Sequence, residues 1–181
     1  LLSCLWLYPF VSVSKAQHIT LPDLYSNGMT IQRGQTQKLH GISDPGAAVE
    51  VQWRGKKYKA EADRDGKFAV EIPAGNAGGP FVLQIGMRKI EKVFVGDVFL
   101  CSGQSNMELP MGRCEDLYRD IIDSYSNPNV HIVKTPRTYR LDEANDIYSV
   151  KGDGLWVEPS PKSNAGIGAE TFFFAKAYPE K

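Results

Sequence analysis

The chain has 181 residues, 21 basic and 21 acidic side chains, and a hydrophobic content of 42%. This balance excludes a disordered polyelectrolyte, and it offers neither the basic face that nucleic acid needs nor a polybasic membrane patch. The length suits one domain, or a small domain followed by part of another.

Leu1 to Val13 is mostly apolar, and Ser14-Lys15-Ala16 then precedes Gln17. A small residue, any residue, then Ala is what a signal peptidase reads. The run is too short to span a bilayer. Residues 1–16 are therefore expected to be the remnant of a secretory signal, with a secreted or periplasmic product and no membrane insertion after cleavage. A buried N-terminal strand is the plain alternative. A lipoprotein signal at Leu1-Leu2-Ser3-Cys4 is a third, but the apolar run lies on the wrong side of Cys4. Signal cleavage leaves Cys101 and Cys114, which form no disulfide framework and lack metal-ligand spacing. Cys101 is expected to be a small buried hydrophobe. No metal site and no cofactor are predicted.

Residues 19–93 read as all β. Gln37 to Gly41 makes a strand before the turn Ser43-Asp44-Pro45-Gly46. Val49, Val51 and Trp53 alternate with Glu50, Gln52 and Arg54. A hairpin turn at Gly55-Lys56 returns the chain through Lys57 to Ala62, with Tyr58, Ala60 and Ala62 on one side. Asp63-Arg64-Asp65-Gly66 is a second turn, and Phe68, Val70 and Ile72 alternate again up to Pro73. Gly75 to Pro80 reads as a loop. Phe81 to Ile85 and Arg88 to Val93 give two more strands. Short strands at regular spacing predict a β-sandwich. About 75 residues suffice for one core. Trp53 and Phe68 are expected in that core rather than as sugar-stacking platforms.

The period changes in residues 94–181. Val95 to Cys101 is nearly continuous apolar sequence, as in a strand covered on both faces. Glu115 to Tyr125 carries Leu117, Ile121, Ile122 and Tyr125 at helical spacing, and Asn127-Pro128-Asn129 ends it. Val130 to Val133 is a second short strand. Strand, helix, strand predicts the βαβ unit of a parallel sheet. Thr135 to Asn164 is a long polar stretch with Trp156 as its apolar anchor. Ala169 to Tyr178 reads as a helix containing Phe172, Phe173 and Phe174. Two strands are too few for an α/β domain, so these residues are expected to be its truncated first part.

Covalent chemistry is suggested at one place, Gly103-Gln104-Ser105-Asn106-Met107, which follows the apolar run. Ser105 is the candidate nucleophile. A serine hydroxyl needs a base within hydrogen-bond reach and N–H donors aimed at the oxyanion. Gly103 permits a tight turn, and the N–H of Ser105 or Asn106 can face a carbonyl oxygen. Gly168, before the last helix, is a candidate for a further N–H. The bland alternative is a surface turn with a capping Ser or Asn. The base is harder to find. His18 is near the start, His40 lies among the β-strands, and His131 falls inside the predicted strand Asn129 to Val133. A sheet interior rarely offers a base the geometry it needs.

Gly96-Asp97-Val98-Phe99-Leu100-Cys101-Ser102-Gly103-Gln104-Ser105-Asn106-Met107-Glu108-Leu109-Pro110 resembles the nucleophile block of the sialate O-acetylesterase family, within the SGNH hydrolases. Leu21-Pro22 to Gln32-Arg33, Asp44-Pro45-Gly46-Ala47, Asp63 to Phe68, Asn127-Pro128-Asn129-Val130 and Phe173-Phe174-Ala175-Lys176 extend the resemblance over nearly all of the chain from Ile19. It implies a β-sandwich domain at 19–93, then the first part of an SGNH, flavodoxin-like parallel-sheet hydrolase domain at 94–181. It implies Ser105 as nucleophile with its own N–H in the oxyanion hole, and Gly168 as a second donor. Gln104, Asn106 and Glu108, with Gly103, would support the turn. The implied substrate is an acetylated carbohydrate, sialic acid first and acetylxylan or another glycan as the alternative. The family's oxyanion-hole Asn block and its Asp-x-x-His have no counterpart here. The catalytic pair is therefore expected beyond Lys181, and the fragment is expected to be inactive alone. A non-catalytic carbohydrate-binding protein is the reading from another class.

Overall fold

The computed structural model of the chain describes residues 18–135 and 155–178. The expected signal at 1–16 and most of the polar stretch after Thr135 lie outside these residues. The strands are β1 (Thr30–Gln32), β2 (Thr36–Ile42), β3 (Ala48–Trp53), β4 (Lys56–Glu61), β5 (Lys67–Pro73), β6 (Gly78–Ile85) and β7 (Arg88–Gly96). After them come helices α1 (Ser105–Glu108) and α2 (Glu115–Ser124), strands β8 (Ile132–Val133) and β9 (Trp156–Val157), and helix α3 (Ala169–Ala177). Short 3-10 turns cover Met111–Cys114 and Asn164–Gly166.

Five strands form a mixed sheet in the order β1-β7-β6-β3-β4, and β2 pairs with β5 in a two-stranded sheet. Among the described residues only β1 and β7 run parallel, Ile31 opposite Val95. The β3–β4 hairpin turns through Arg54 and Gly55 at φ 47° and 77°. Positive φ at both central residues matches the twist of the flanking strands, and glycine takes it without strain. Alternation then decides which side chains are buried. Val49, Val51 and Trp53 of β3, Phe68, Val70 and Ile72 of β5, and Leu83 and Ile85 of β6 meet in one cluster with Leu39, Val93 and Val95. Each such side chain, fully buried, contributes roughly 1.5–3 kcal/mol. Trp53 and Phe68 are core residues, as expected.

Three expectations are corrected here. The strands foreseen on either side of residue 94 are one, β7, and part of the foreseen loop Gly75 to Pro80 already belongs to β6. No strand occupies residues 97–103. Asp97 to Gly103 is irregular, with Val98 45%, Phe99 49% and Leu100 93% exposed. A strand needs a neighbour for its N–H and C=O groups. Among the described residues the backbone of this run finds no partner except the Gln32 side chain, whose Oε1 accepts from the Val98 N–H at 2.8 Å. Cys101 is consequently exposed rather than buried, and both it and Cys114 are free. Finally, β8 pairs antiparallel with β9, Val133 opposite Trp156, so no parallel βαβ unit forms among the described residues.

A second, smaller cluster gathers Met111, Ile122, Ile167 and Phe172. Helix α2 was read correctly in extent, but Leu117 is exposed. Tyr118 leaves helical geometry at φ −133° and ψ 21°, so the side chains do not follow one continuous stripe. Asn164, fully buried, donates through Nδ2 to the carbonyls of Ile122 and Tyr125 at 2.9 and 2.8 Å. It thereby satisfies carbonyls left open at the end of α2.

Candidate active site

Ser105 is the first residue of α1 and is exposed. The single turn of helix closes with the Glu108 N–H donating to the Gln104 carbonyl at 3.1 Å and the Leu109 N–H to the Ser105 carbonyl at 2.8 Å. The motif thus reverses direction immediately before the hydroxyl. Gly103 lies against the far side of this turn, where a Cβ would stand 3.2 Å from the Met107 Cβ. Any larger residue there pushes on Met107. Met107 in turn accepts a hydrogen bond at Sδ from the Thr171 hydroxyl of α3 at 3.3 Å.

Gly168 sits close behind this turn. It is the N-cap residue of α3 and bridges to Pro110 in antiparallel fashion. The Ala169 N–H donates to the Leu109 carbonyl at 2.7 Å, and the Met111 N–H to the Ile167 carbonyl at 2.9 Å. A Cβ on Gly168 would collide with the Met107 carbonyl oxygen, so the closeness of the two segments requires glycine here. The chain therefore brings the Ser105 turn and the Gly168 loop together, although 63 positions separate them in sequence.

A cleft of about 300 Å³ opens on this turn, lined by Gly103, Gln104, Ser105, Asn106, Met107 and Glu170. Gln104 and Asn106 are exposed and Glu108 is half-buried. Glu170, in the first turn of α3, is the residue that sequence reasoning missed. Its position two residues after Gly168 was the available signal.

No histidine lines the cleft. His40 Nδ1 lies 3.1 Å from the Tyr25 hydroxyl among the β-strands. His131 precedes β8 instead of lying within a longer strand, and its ring lies 4.2 Å from that of Phe94. Both His131 ring nitrogens are buried without a well-formed hydrogen bond. Burial pushes its pKa below the usual histidine value; Glu158 and the Pro128 carbonyl oppose this less strongly, and Lys92 adds a smaller push downward. A ring so placed is a packing element between two parts of the chain. Among the described residues no three His, Cys, Asp or Glu side chains converge as a metal site would require. No helix among them is long and apolar enough to cross a membrane.

The segment leading into the turn is braced at Asp97. Its Oδ1 accepts from Arg33 Nε at 2.7 Å and its Oδ2 from the Tyr178 hydroxyl at 3.0 Å. The Tyr178 hydroxyl is held above the usual phenol range, first by that hydrogen bond. Asp97 thus ties the approach to Ser105 both to the residue after β1 and to the C-terminal cap of α3.

The turn presents an exposed serine beside a glycine loop, and the known proteins to which the chain is similar are acetylesterases. No family model matches the chain. A solved structure described as a carbohydrate acetylesterase from Xanthomonas citri superposes with a TM-score of 0.78 at 32% identity, over 88% of this chain and 37% of that one. Sialate O-acetylesterase from Pongo abelii is 28% identical over 159 residues, 79% of this chain and 30% of that protein. The Homo sapiens sialate O-acetylesterase is 27% identical over the same length, and that of Mus musculus 26% over 149 residues. At the level of class, the kinship is with carbohydrate acetylesterases. The chain is similar to sialate O-acetylesterases, and it spans only 27–37% of the length of the relatives it matches.

Proposed function

We propose that this chain carries the nucleophile of an exported carbohydrate O-acetylesterase. The observation that supports it most is the exposed Ser105 hydroxyl in a cleft beside the Gly168 loop, in a chain whose relatives are acetylesterases. In this reading the Ser105 Oγ attacks the acetyl carbonyl while its proton passes to a histidine. The carbonyl electrons move onto oxygen, where the N–H groups of Ser105 and Gly168 hold the charge. Collapse of the intermediate breaks the bond to the sugar oxygen, which leaves with the bonding pair and becomes a hydroxyl by taking the proton from the imidazolium. Water then releases acetate by the same steps. Gly103, Gln104, Asn106 and Glu108 keep the turn in shape. Backbone donors and the histidine carry the chemistry, so the route calls on no cofactor.

The two sheets around the Trp53 cluster serve in this reading as the facing layers of a β-sandwich domain. The residues from 94 onward serve as the first part of an SGNH-type hydrolase domain. The reading needs an Asp-x-x-His pair for which these 181 residues offer no counterpart, and by themselves they are expected to hydrolyse no ester. Sialic acid is the sugar suggested by the names of the curated relatives. An acetylated neutral glycan such as acetylxylan is the second reading, supported by the broader description of the Xanthomonas citri structure.

The test is Ser105→Ala in the natural polypeptide that contains this chain. Release of acetate from O-acetylated sugars should fall by at least about a thousandfold, while circular dichroism and the thermal midpoint stay as in the parent. Parental turnover by the variant would remove Ser105 from the mechanism. Binding of the sugar without any turnover, by parent and variant alike, would favour a non-catalytic carbohydrate-binding protein.

A further inference from the structure

The cleft at Ser105 has a distinct electrostatic character. Five of its six lining residues belong to the nucleophile turn itself and are uncharged. The sixth, Glu170, is the only charged side chain on the wall among the described residues, and it is exposed. Among the described residues no Arg, Lys or His lines the cleft beside it. Among the described residues Glu170 has no ion pair, in contrast to two other carboxylates around the site. Asp97 is occupied by Arg33 and Tyr178. Glu115, beyond the turn, is paired with Arg119.

Glu170 has an ordinary structural use. It stands in the first turn of α3, where a negative charge complements the helix N-terminus. That explains why glutamate is tolerated. It does not explain why the side chain lines the Ser105 cleft instead of the outer face of α3.

We propose that Glu170 is a specificity-determining residue that selects neutral acetylated sugars over anionic ones such as sialate. This rests on the reading of Ser105 as an esterase nucleophile and narrows its substrate class. A carboxylate is an acceptor-only group with room for several hydrogen bonds, and sugar hydroxyls are donors. An acetylated neutral sugar seated on Ser105 can donate to Glu170. A sugar carboxylate offers no donor and meets a like charge. At about 4 Å in water such repulsion is worth about a fivefold factor in binding, more where water is excluded.

The experiment uses the natural polypeptide and two substrates that differ only in charge, O-acetylated sialic acid and its carboxyl methyl ester, with acetate release measured for each. The parent should prefer the neutral ester. In Glu170→Gln the ratio of kcat/KM values, neutral over anionic, should fall three- to tenfold. High salt should act on the parent in the same direction, because at about 1 M screening reaches within about 3 Å, and it should leave the ratio of Glu170→Gln nearly unchanged. A residue that merely stabilises α3 would lower the thermal midpoint and leave the ratio alone. An identical ratio in parent and variant overturns the proposal. So does failure of the parent to cleave the neutral ester. In either case Ser105-dependent release of acetate from para-nitrophenyl acetate would leave the esterase reading standing, whereas its absence would bring down both.

Discussion

Trp53 illustrates what single side chains contribute to this chain. It is 1% exposed, meets Phe81 edge to face at 5.6 Å, and donates from Nε1 to the Pro73 carbonyl at 2.9 Å. Arg54 lies over the Phe81 ring, 4.6 Å from its centroid. One indole therefore joins β3, β5 and β6. Trp53→Ala is expected to cost about 3–5 kcal/mol, because it leaves both a cavity and an unpaired carbonyl. Urea unfolding followed by circular dichroism should show the midpoint fall without a change in slope. Asn164 does comparable work with polar atoms. Its amide holds the carbonyls of Ile122 in α2 and of Tyr125 just after it, and so fixes the loop that leads to Gly168.

The decisive element-scale contact is the seating of α1 against α3. The Leu109 carbonyl accepts from Ala169, Thr171 donates to Met107, and Gly168 lies against the Met107 carbonyl. Gly168→Ala puts a methyl group where that carbonyl stands, so the backbone of one segment must shift. The expected loss is about 1–3 kcal/mol, the usual cost of overpacking. Differential scanning calorimetry checks this directly. Turnover should drop as well, since α1 carries Ser105. A variant with unchanged stability would show that the two segments yield more easily than their hydrogen bonds suggest. The run Val98-Phe99-Leu100 makes the complementary point: apolar sequence without a pairing neighbour stays irregular.

Across the whole molecule, two clusters are joined by a few contacts of different chemistry. The Trp156 indole donates to the Leu24 carbonyl at 2.9 Å. Asp97 links Arg33 to Tyr178. His131 fills the space between Phe94, Gly28 and Trp156 with its nitrogens unpaired. The histidine makes this joint sensitive to acid. Its pKa in the fold lies below the ordinary value of 6.5, chiefly through burial. The unfolded chain therefore takes up a proton first as pH falls. Stability from this site is fully present above about pH 6.5 and declines below it, by at most about 1.4 kcal/mol per pH unit, until the folded state also protonates. His131→Leu should remove that part of the slope. Denaturant titrations of both proteins between neutral and mildly acid pH test it, and parallel pH profiles would refute it.

Much of the β-region was legible in the sequence because alternation is a local property. Val49, Val51 and Trp53 announce a buried face whatever lies opposite, and Gly66 or Gly55 announces a turn. The Ser105 block was legible for the same reason, since its residues are contiguous. Three things were decided only by tertiary structure. The short strand Thr30–Gln32 exists because β7 lies beside it in parallel, a pairing across more than 60 positions. The segment after Gly96 failed to become a strand because strand formation needs a partner's hydrogen bonds, which apolar sequence cannot supply by itself. Glu170 entered the Ser105 cleft, and His131 left every catalytic role for a buried joint, through the docking of segments distant in sequence. Local pattern fixes which way a side chain faces along its own strand or helix; what stands opposite it depends on how remote segments come together.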